Sequence, residues 1–332
     1  NKKIMKYFNI NNSFFHGLMF HHLHDDKKYK KGQGSVSSKE FYKIIDFVGE
    51  KNILDAPEFI NRLKERKLSS KNVCLTFDDG LKSQYDLASP ILKSLNKKAF
   101  FFTPSEIFTN KNQKLEMYRY FRTNFFKNIE DFSKEFFAIV ENSLKLNIDK
   151  AIKEKQLKIF GYPIKKWKEK FPYFSDNDIK FRIVRDSILS EKKYDLIMEK
   201  FLKKYKFKKK EVLSKIFFTK ENVKKLHSYG HIIGLHSHSH PTMISNMSYK
   251  NQKIEYELNK KYLENITSHT IKAMSHPCGS YNFNSLKILK KLNIEIGFKQ
   301  IMTRDKRMKK INQSHLEIAR HDCPSILRIM NK

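Results

Sequence analysis

A chain of 332 residues that is 39% hydrophobic and 13% aromatic can bury a sizeable core, which excludes a disordered polymer and allows one large domain or two moderate ones. The net charge of +32 invites a nucleic-acid reading. However, 10 Arg among 67 basic residues leaves 57 Lys spread over the whole chain, and so few of the better phosphate and base-edge forks argue against a dedicated nucleic-acid reader. Such a surface remains suited to peripheral contact with anionic membranes or acidic glycans.

In chain order, the opening segment NKKIMKYFNINNSFFHGLMF has basic residues but no apolar run long enough for a signal or membrane helix, and no later segment has one. Cys74, Cys278 and Cys323 are widely separated and odd in number, so neither a disulfide framework nor a metal knuckle is written here. The expectation is a reducing, cytoplasmic compartment.

Residues 71–110 read as strand, loop, helix, strand. VCLTF is a short β-rich run stopped by DDG, ASPILKSL has helical spacing, and AFFFT has the character of a buried strand. A βαβ unit follows, with its acidic turn at the carboxyl end of the first strand.

Between residues 111 and 215 the pattern changes to helices rich in Lys and Phe. Ile129, Phe132, Phe136, Val140 and Leu144 recur at helical spacing, as do Tyr194, Ile197, Phe201 and Tyr205. This segment far exceeds the ~30 residues of a whole βαβ unit. It is read as a mainly helical insertion between residues 1–110 and 216–332 of a catalytic domain, placed to cap a substrate groove.

The strand and helix grammar returns after it. KENVKKLHSYG closes a helix on Gly230, HIIGLHS is a strand, YKNQKIEYELNKKYLENIT a helix, IKAMS a strand, NSLKILKKLN a helix and IEIGFK a strand. Alternation of this kind makes the fold class α/β, with polar residues gathered just after the strands, where such folds place their sites.

Two groups carry chemistry. Asp78 and Asp79 end a strand, where successive side chains diverge, so one can bind a metal while the other takes a proton; DDG is also a common turn. LHSHSHP, Leu235–Pro241, sets three histidines on alternate positions. In a continuous strand all three share a face. If the strand yields to a helical turn, His236 and His240 converge and His238 turns away, a geometry that Pro241 favours. Two histidines and a distant carboxylate make a three-ligand site with a position open for water.

LTFDDG at Leu75–Gly80, LHSYGHIIGLHSHSHP at Leu226–Pro241 and HPCGSYN at His276–Asn282 resemble, in order, the first three motifs of the polysaccharide deacetylase family, relatives of chitooligosaccharide deacetylases. LMFHHLHDD near the start is similar to the MYH segment of one branch. The resemblance spans residues 14–110 and 216–323 and implies a distorted (β/α) barrel of seven strands. It implies Asp79, His236 and His240 as ligands of one divalent metal ion. Zinc is favoured by ligand type, with cobalt, nickel or another ion open.

By the same resemblance Asp78 is the base that takes a proton from water, the Cys278 amide donates to the oxyanion, and His21 supplies a proton to the leaving amine, with His22, His276 and His321 as rivals. Ser275 stands where many relatives carry an arginine that orients the base, and Arg320 in IARHD is the substitute cation from another strand. The function so implied is metal-dependent removal of an N-acetyl or other N-acyl group from an amino sugar of a surface glycan or its precursor. A non-sugar amide hydrolase or deformylase, a catalytically weak glycan-binding protein and a basic nucleic-acid binder are the alternatives.

Overall fold

The computed structural model describes residues 9–10, 13–109, 114–157, 163–170, 175–300 and 311–331. Seven parallel strands close a barrel in chain order. They are β1 (Gly17–Phe20), β2 (Cys74–Phe77), β3 (Phe100–Thr103), β4 (Ile232–Leu235), β5 (Ala273–Ser275), β6 (Ile296–Gln300) and β7 (Ile318–Asp322). This is the seven-stranded (β/α) barrel that the motifs imply, and every strand is five residues or shorter.

Alternation along the strands sorts side chains into two cores. Cys74, Phe100, Phe102, Ala273, Ile296, Phe298 and Ile318 pack together inside the barrel, while their neighbours Leu75, Phe77, Phe101, Met274 and Ala319 belong to the shell beneath the helices. Continuing the inward parity one step brings Thr76, Asp78, Ser275 and Arg320 to the interior of the carboxyl mouth.

Two glycines make this interior possible. A Cβ on Gly17 would lie 2.5 Å from Arg320 Cγ, and one on Gly234 would lie 2.5 Å from Phe102 Cδ1 and 2.9 Å from the Ala273 carbonyl oxygen. Each therefore yields its volume to a large neighbour on an adjoining strand.

The shell helices begin on side-chain caps that satisfy their first N–H groups. Ser37 and Glu40 form a capping box for Ser38–Val48, Thr219 and Asn222 one for Lys220–Ser228, and Asn282 and Ser285 one for Phe283–Lys291. The longest helix, Tyr249–Thr267, starts on Ser248 and ends on left-handed Ser268. Among the described residues no helix is long and apolar enough to cross a membrane.

The chain divides into two compact units, residues 1–113 with 213–332, and 114–212. The second is helical, with an aromatic core of its own. Phe132, Phe136 and Val140 of the helix Ile129–Leu144 are buried, as are Tyr194, Ile197 and Phe201 of Glu191–Lys204, whereas the terminal Ile129 and Leu144 are half-buried. Phe136 and Phe181 lie 5.0 Å apart in an edge-on contact, and the Arg122 guanidinium sits 4.7 Å over Phe181.

Buried His231 links strand entry to pH. Its Nδ1 accepts the Ala99 N–H at 3.1 Å and its ring stands edge-on to Phe101. Burial, with Lys98 nearby, lowers its pKa to about 4. The folded state therefore refuses a proton that the unfolded chain takes near pH 6.5, so this stability is complete above pH 6.5 and is lost as pH falls toward 4. The loss at pH 5 is expected to be about 2 kcal/mol. His231→Gln should flatten the pH dependence of urea unfolding by that amount between pH 7.5 and 5; an unchanged slope would show that His231 is not the titrating group.

Candidate metal centre and base

The DDG turn after β2 separates two carboxylates by backbone geometry. Asp79 and Gly80 take positive φ values of 79° and 66°, so the chain reverses abruptly and the two side chains leave in different directions. The Gln84 side chain fastens this turn to the end of β1, donating to the carbonyls of Asp78 at 2.5 Å and His21 at 2.9 Å. Both aspartates are buried.

On the far side, β4 stops at Leu235 and the following residues turn, with Ser237 and His240 at φ of 59° and 54°. His236 and His240 converge as the turn geometry requires. His238 points elsewhere: its Nδ1 lies 2.8 Å from Ser105 Oγ and its ring stacks on Tyr262.

The Nε2 atoms of His236 and His240 and Oδ1 of Asp79 form a triangle with all three sides 3.2 Å. The His236 tautomer is set from behind, because Nδ1–H donates to the Ser275 carbonyl at 2.9 Å and leaves the Nε2 lone pair facing the triangle. Three acceptor atoms so close repel unless a cation or protons lie among them. Their spacing matches the edge of about 3.3 Å in a tetrahedron of ~2.0 Å zinc bonds. The residues therefore fit a divalent ion, and this is the one such group of three or more found among the described residues.

Asp78 faces the opposite wall. Arg320 grips it bidentately, Nη1 to Oδ1 at 2.6 Å and Nη2 to Oδ2 at 2.7 Å, and also donates to Ser275 Oγ at 2.7 Å and Thr76 Oγ1 at 3.1 Å. Ser275 Oγ–H in turn donates to Asp78 Oδ2 at 3.1 Å. The position that lacks the expected arginine thus still serves Asp78, as a relay to an arginine five strands after β2 in chain order but separated from it in the closed barrel by β1 alone.

Burial opposes ionisation of Asp78, yet the Arg320 charge, with His236 and the Arg320 hydrogen bonds, holds its carboxyl below the ordinary range. Burial opposes ionisation of Asp79 as well, and the facing His236 and His240 side chains, with His21, hold it well below that range.

Among the histidines, His21 Nε2 lies 3.9 Å from Oδ2 of both Asp78 and Asp79. Two of its rivals are engaged in other ways. His276 Nε2 donates to the Leu316 carbonyl at 2.9 Å under a Tyr281 ring, and burial lowers its pKa to about 3. His321 packs its ring against Phe15, whereas Val36 N–H donates to the backbone carbonyl of His22 and leaves the His22 ring a rival. Cys278 sits in the turn Pro277–Gly279 with φ of 51° and an exposed thiol. Asn259 and Glu255, which hold the histidine loop, were not singled out by sequence; the visible signal is their place among the buried Gln252, Tyr256 and Leu263 of one helix stripe.

A parallel (β/α) barrel with carboxylates and histidines at its carboxyl mouth is an arrangement suited to metal-assisted hydrolysis. The sequence profile described as polysaccharide deacetylase matches residues 142–297. No curated protein matches it. Solved structures of similar fold include the Streptococcus pyogenes deacetylase PplD in complex with acetate, at 17% identity and TM-score 0.52, covering 95% of this chain and 96% of that one. IcaB from Ammonifex degensii is 13% identical with TM-score 0.52 over 95% and 96%. A de-N-acetylase from Aggregatibacter actinomycetemcomitans is 13% identical with TM-score 0.50 over 92% and 93%.

If the triangle is the metal centre, Asp79→Ala and His240→Ala should each abolish stoichiometric zinc after dialysis, read by elemental analysis, because three converging donors are needed for tight binding. Full occupancy in both variants would refute the ligand set.

Proposed function

We propose that this protein is a metal-dependent carbohydrate N-deacetylase that hydrolyses an N-acetyl or other N-acyl group on an amino sugar of a surface polysaccharide or its precursor, releasing the amine and a carboxylate. The observation that carries this reading is the pairing of two unlike acidic sites, the Asp79, His236, His240 triangle and the Arg320-clamped Asp78, on adjacent residues. The match to the polysaccharide deacetylase profile supports the substrate class.

A divalent ion held in the triangle supplies a Lewis acid for the amide carbonyl and lowers the pKa of water at that position. Asp78 is kept anionic and oriented by Arg320 and Ser275, and it accepts the proton of the attacking water. His21, at 3.9 Å from both aspartates, delivers a proton to the departing nitrogen. The Cys278 N–H donates to the developing oxyanion, a role for the backbone and not for the thiol.

Zinc is the proposed ion from the two-imidazole, one-carboxylate donor set. The helical unit, residues 114–212, is proposed to govern substrate choice and not the reaction itself. Replacing it with a short Gly/Ser linker should preserve metal binding and cleavage of a small activated acetate ester while most activity on the glycan is lost. Undiminished glycan turnover would assign those helices another role.

The central test separates base from ligand. Asp78→Asn is expected to retain the metal, being nearly isosteric, and to lose roughly 10²-fold or more in release of acetate from an N-acetylated oligosaccharide. Near-normal turnover would move the base elsewhere. A wild-type protein that binds metal and glycan without turnover would be a glycan-binding member of the fold.

A further inference from the structure

The ladder between β3 and β4 contains an interruption at the residue that matters most. Ile232 N–H donates to the Ala99 carbonyl at 3.0 Å, and Phe100 to Thr103 pair in register with Ile232 to Leu235. Parallel ladders repeat every two residues, so the rung after Gly234 to Phe101 joins His236 N–H to the Thr103 carbonyl. In its place stands the side chain of Asn259, from the helix Tyr249–Thr267. Its Oδ1 accepts His236 N–H at 2.7 Å and its Nδ2 donates to the Thr103 carbonyl at 3.0 Å.

We infer that Asn259 is a positioning residue for the metal centre, a side-chain amide inserted as a surrogate peptide unit that parts β4 from β3 at the barrel mouth and aims His236 inward. Only an amide offers an acceptor and a donor in the peptide arrangement, and asparagine is the shorter of the two that do. Asn259 is fully buried, so the groups it joins have no water to turn to. With Nδ1 held by the Ser275 carbonyl, the backbone and ring of His236 are both fixed before any ion arrives.

One helical turn earlier, Glu255 does the same for the rest of the loop. Its Oε2 accepts Ser239 N–H at 2.8 Å and its Oε1 accepts Ser239 Oγ–H at 2.7 Å, bracing the turn in which Ser237 and His240 hold positive φ. The i, i+4 spacing puts both clamps on one helix face, so the ligands at either end of the His236–His240 loop are set by a single rigid element. Gln252 lies on the same stripe but bonds only outside the loop, to the Met247 carbonyl and Ser285 Oγ.

This inference rests on the reading of the triangle as a metal centre. Zinc affinity of the full-length metal-free protein, measured by competition with a chromophoric chelator, is expected to fall ~10–100-fold in Asn259→Ala, Asn259→Asp and Glu255→Ala. Glu255→Gln, which keeps an acceptor for Ser239 N–H, should recover part of the loss. Gln252→Ala removes a buried polar group of the same helix and should lower urea stability without changing zinc affinity. If Asn259→Ala fails to fold, Asn259→Ser gives the same comparison. Zinc affinity in the Asn259 variants equal to wild type, or a loss matched by Gln252→Ala, would overturn the positioning role alone. A wild-type protein that binds no divalent ion would overturn the metal centre itself.

Discussion

Asp78 carries a charge at a place where the protein excludes water, and one contact makes this tolerable. A buried carboxylate is stable as an anion only if its charge is compensated and its lone pairs are used, and Arg320 does both with two parallel hydrogen bonds. The guanidinium is itself buried, so neither partner can be satisfied without the other. Removing one member of such a pair costs about 3–5 kcal/mol because the survivor is left uncompensated. The rest of the mouth is arranged around that pair. Gly17 leaves room for the arginine stem, Thr76 and Ser275 accept the second N–H of its two terminal nitrogens, and Thr76 passes its own proton to the Leu18 carbonyl.

The pair also explains why the two aspartates can differ in role while adjacent in sequence. Asp78 obeys the inward parity of β2 and is held from the β5 and β7 side. Asp79 breaks that parity through its positive φ and is met from the β4 side by His236 and His240. One strand end thus delivers one carboxylate to each of two walls, which meet at Ser275, whose hydroxyl serves Asp78 and whose carbonyl holds His236.

Much of this was legible in the sequence because short-range rules govern it. The strands VCLTF and AFFFT, the helix from Tyr249 to Thr267 and the divergence of Asp78 from Asp79 follow from periodicity and turn chemistry, and the convergence of His236 with His240 follows from the break at Pro241. The strand Gly17–Phe20 was harder to see, since a run of three hydrophobic residues after a glycine fits a helix as well as a buried strand. The service of Ser275 was read only as a missing arginine. Its value depends on β5 and β7 standing on either side of β6, a relation that no local pattern encodes. Asn259 is similar: it lies in a correctly placed helix, but its partners Thr103 and His236 are 156 and 23 residues away.

The arginine's change of strand shows what the site constrains. Asp78 requires a planar donor pair at a fixed place near the barrel axis, and inward positions on several strands point to that place, because a closed barrel brings every strand mouth within side-chain reach of the centre. An arginine on β5 or β7 can meet the same geometric demand, provided that the opposing inward position is small. Here the large residue is Arg320 and the small ones are Ser275 and Gly17, which also converts the vacated position into a hydroxyl relay. Charge and fork geometry at this mouth therefore come from β7, and the small residues on β5 and β1 make room for them.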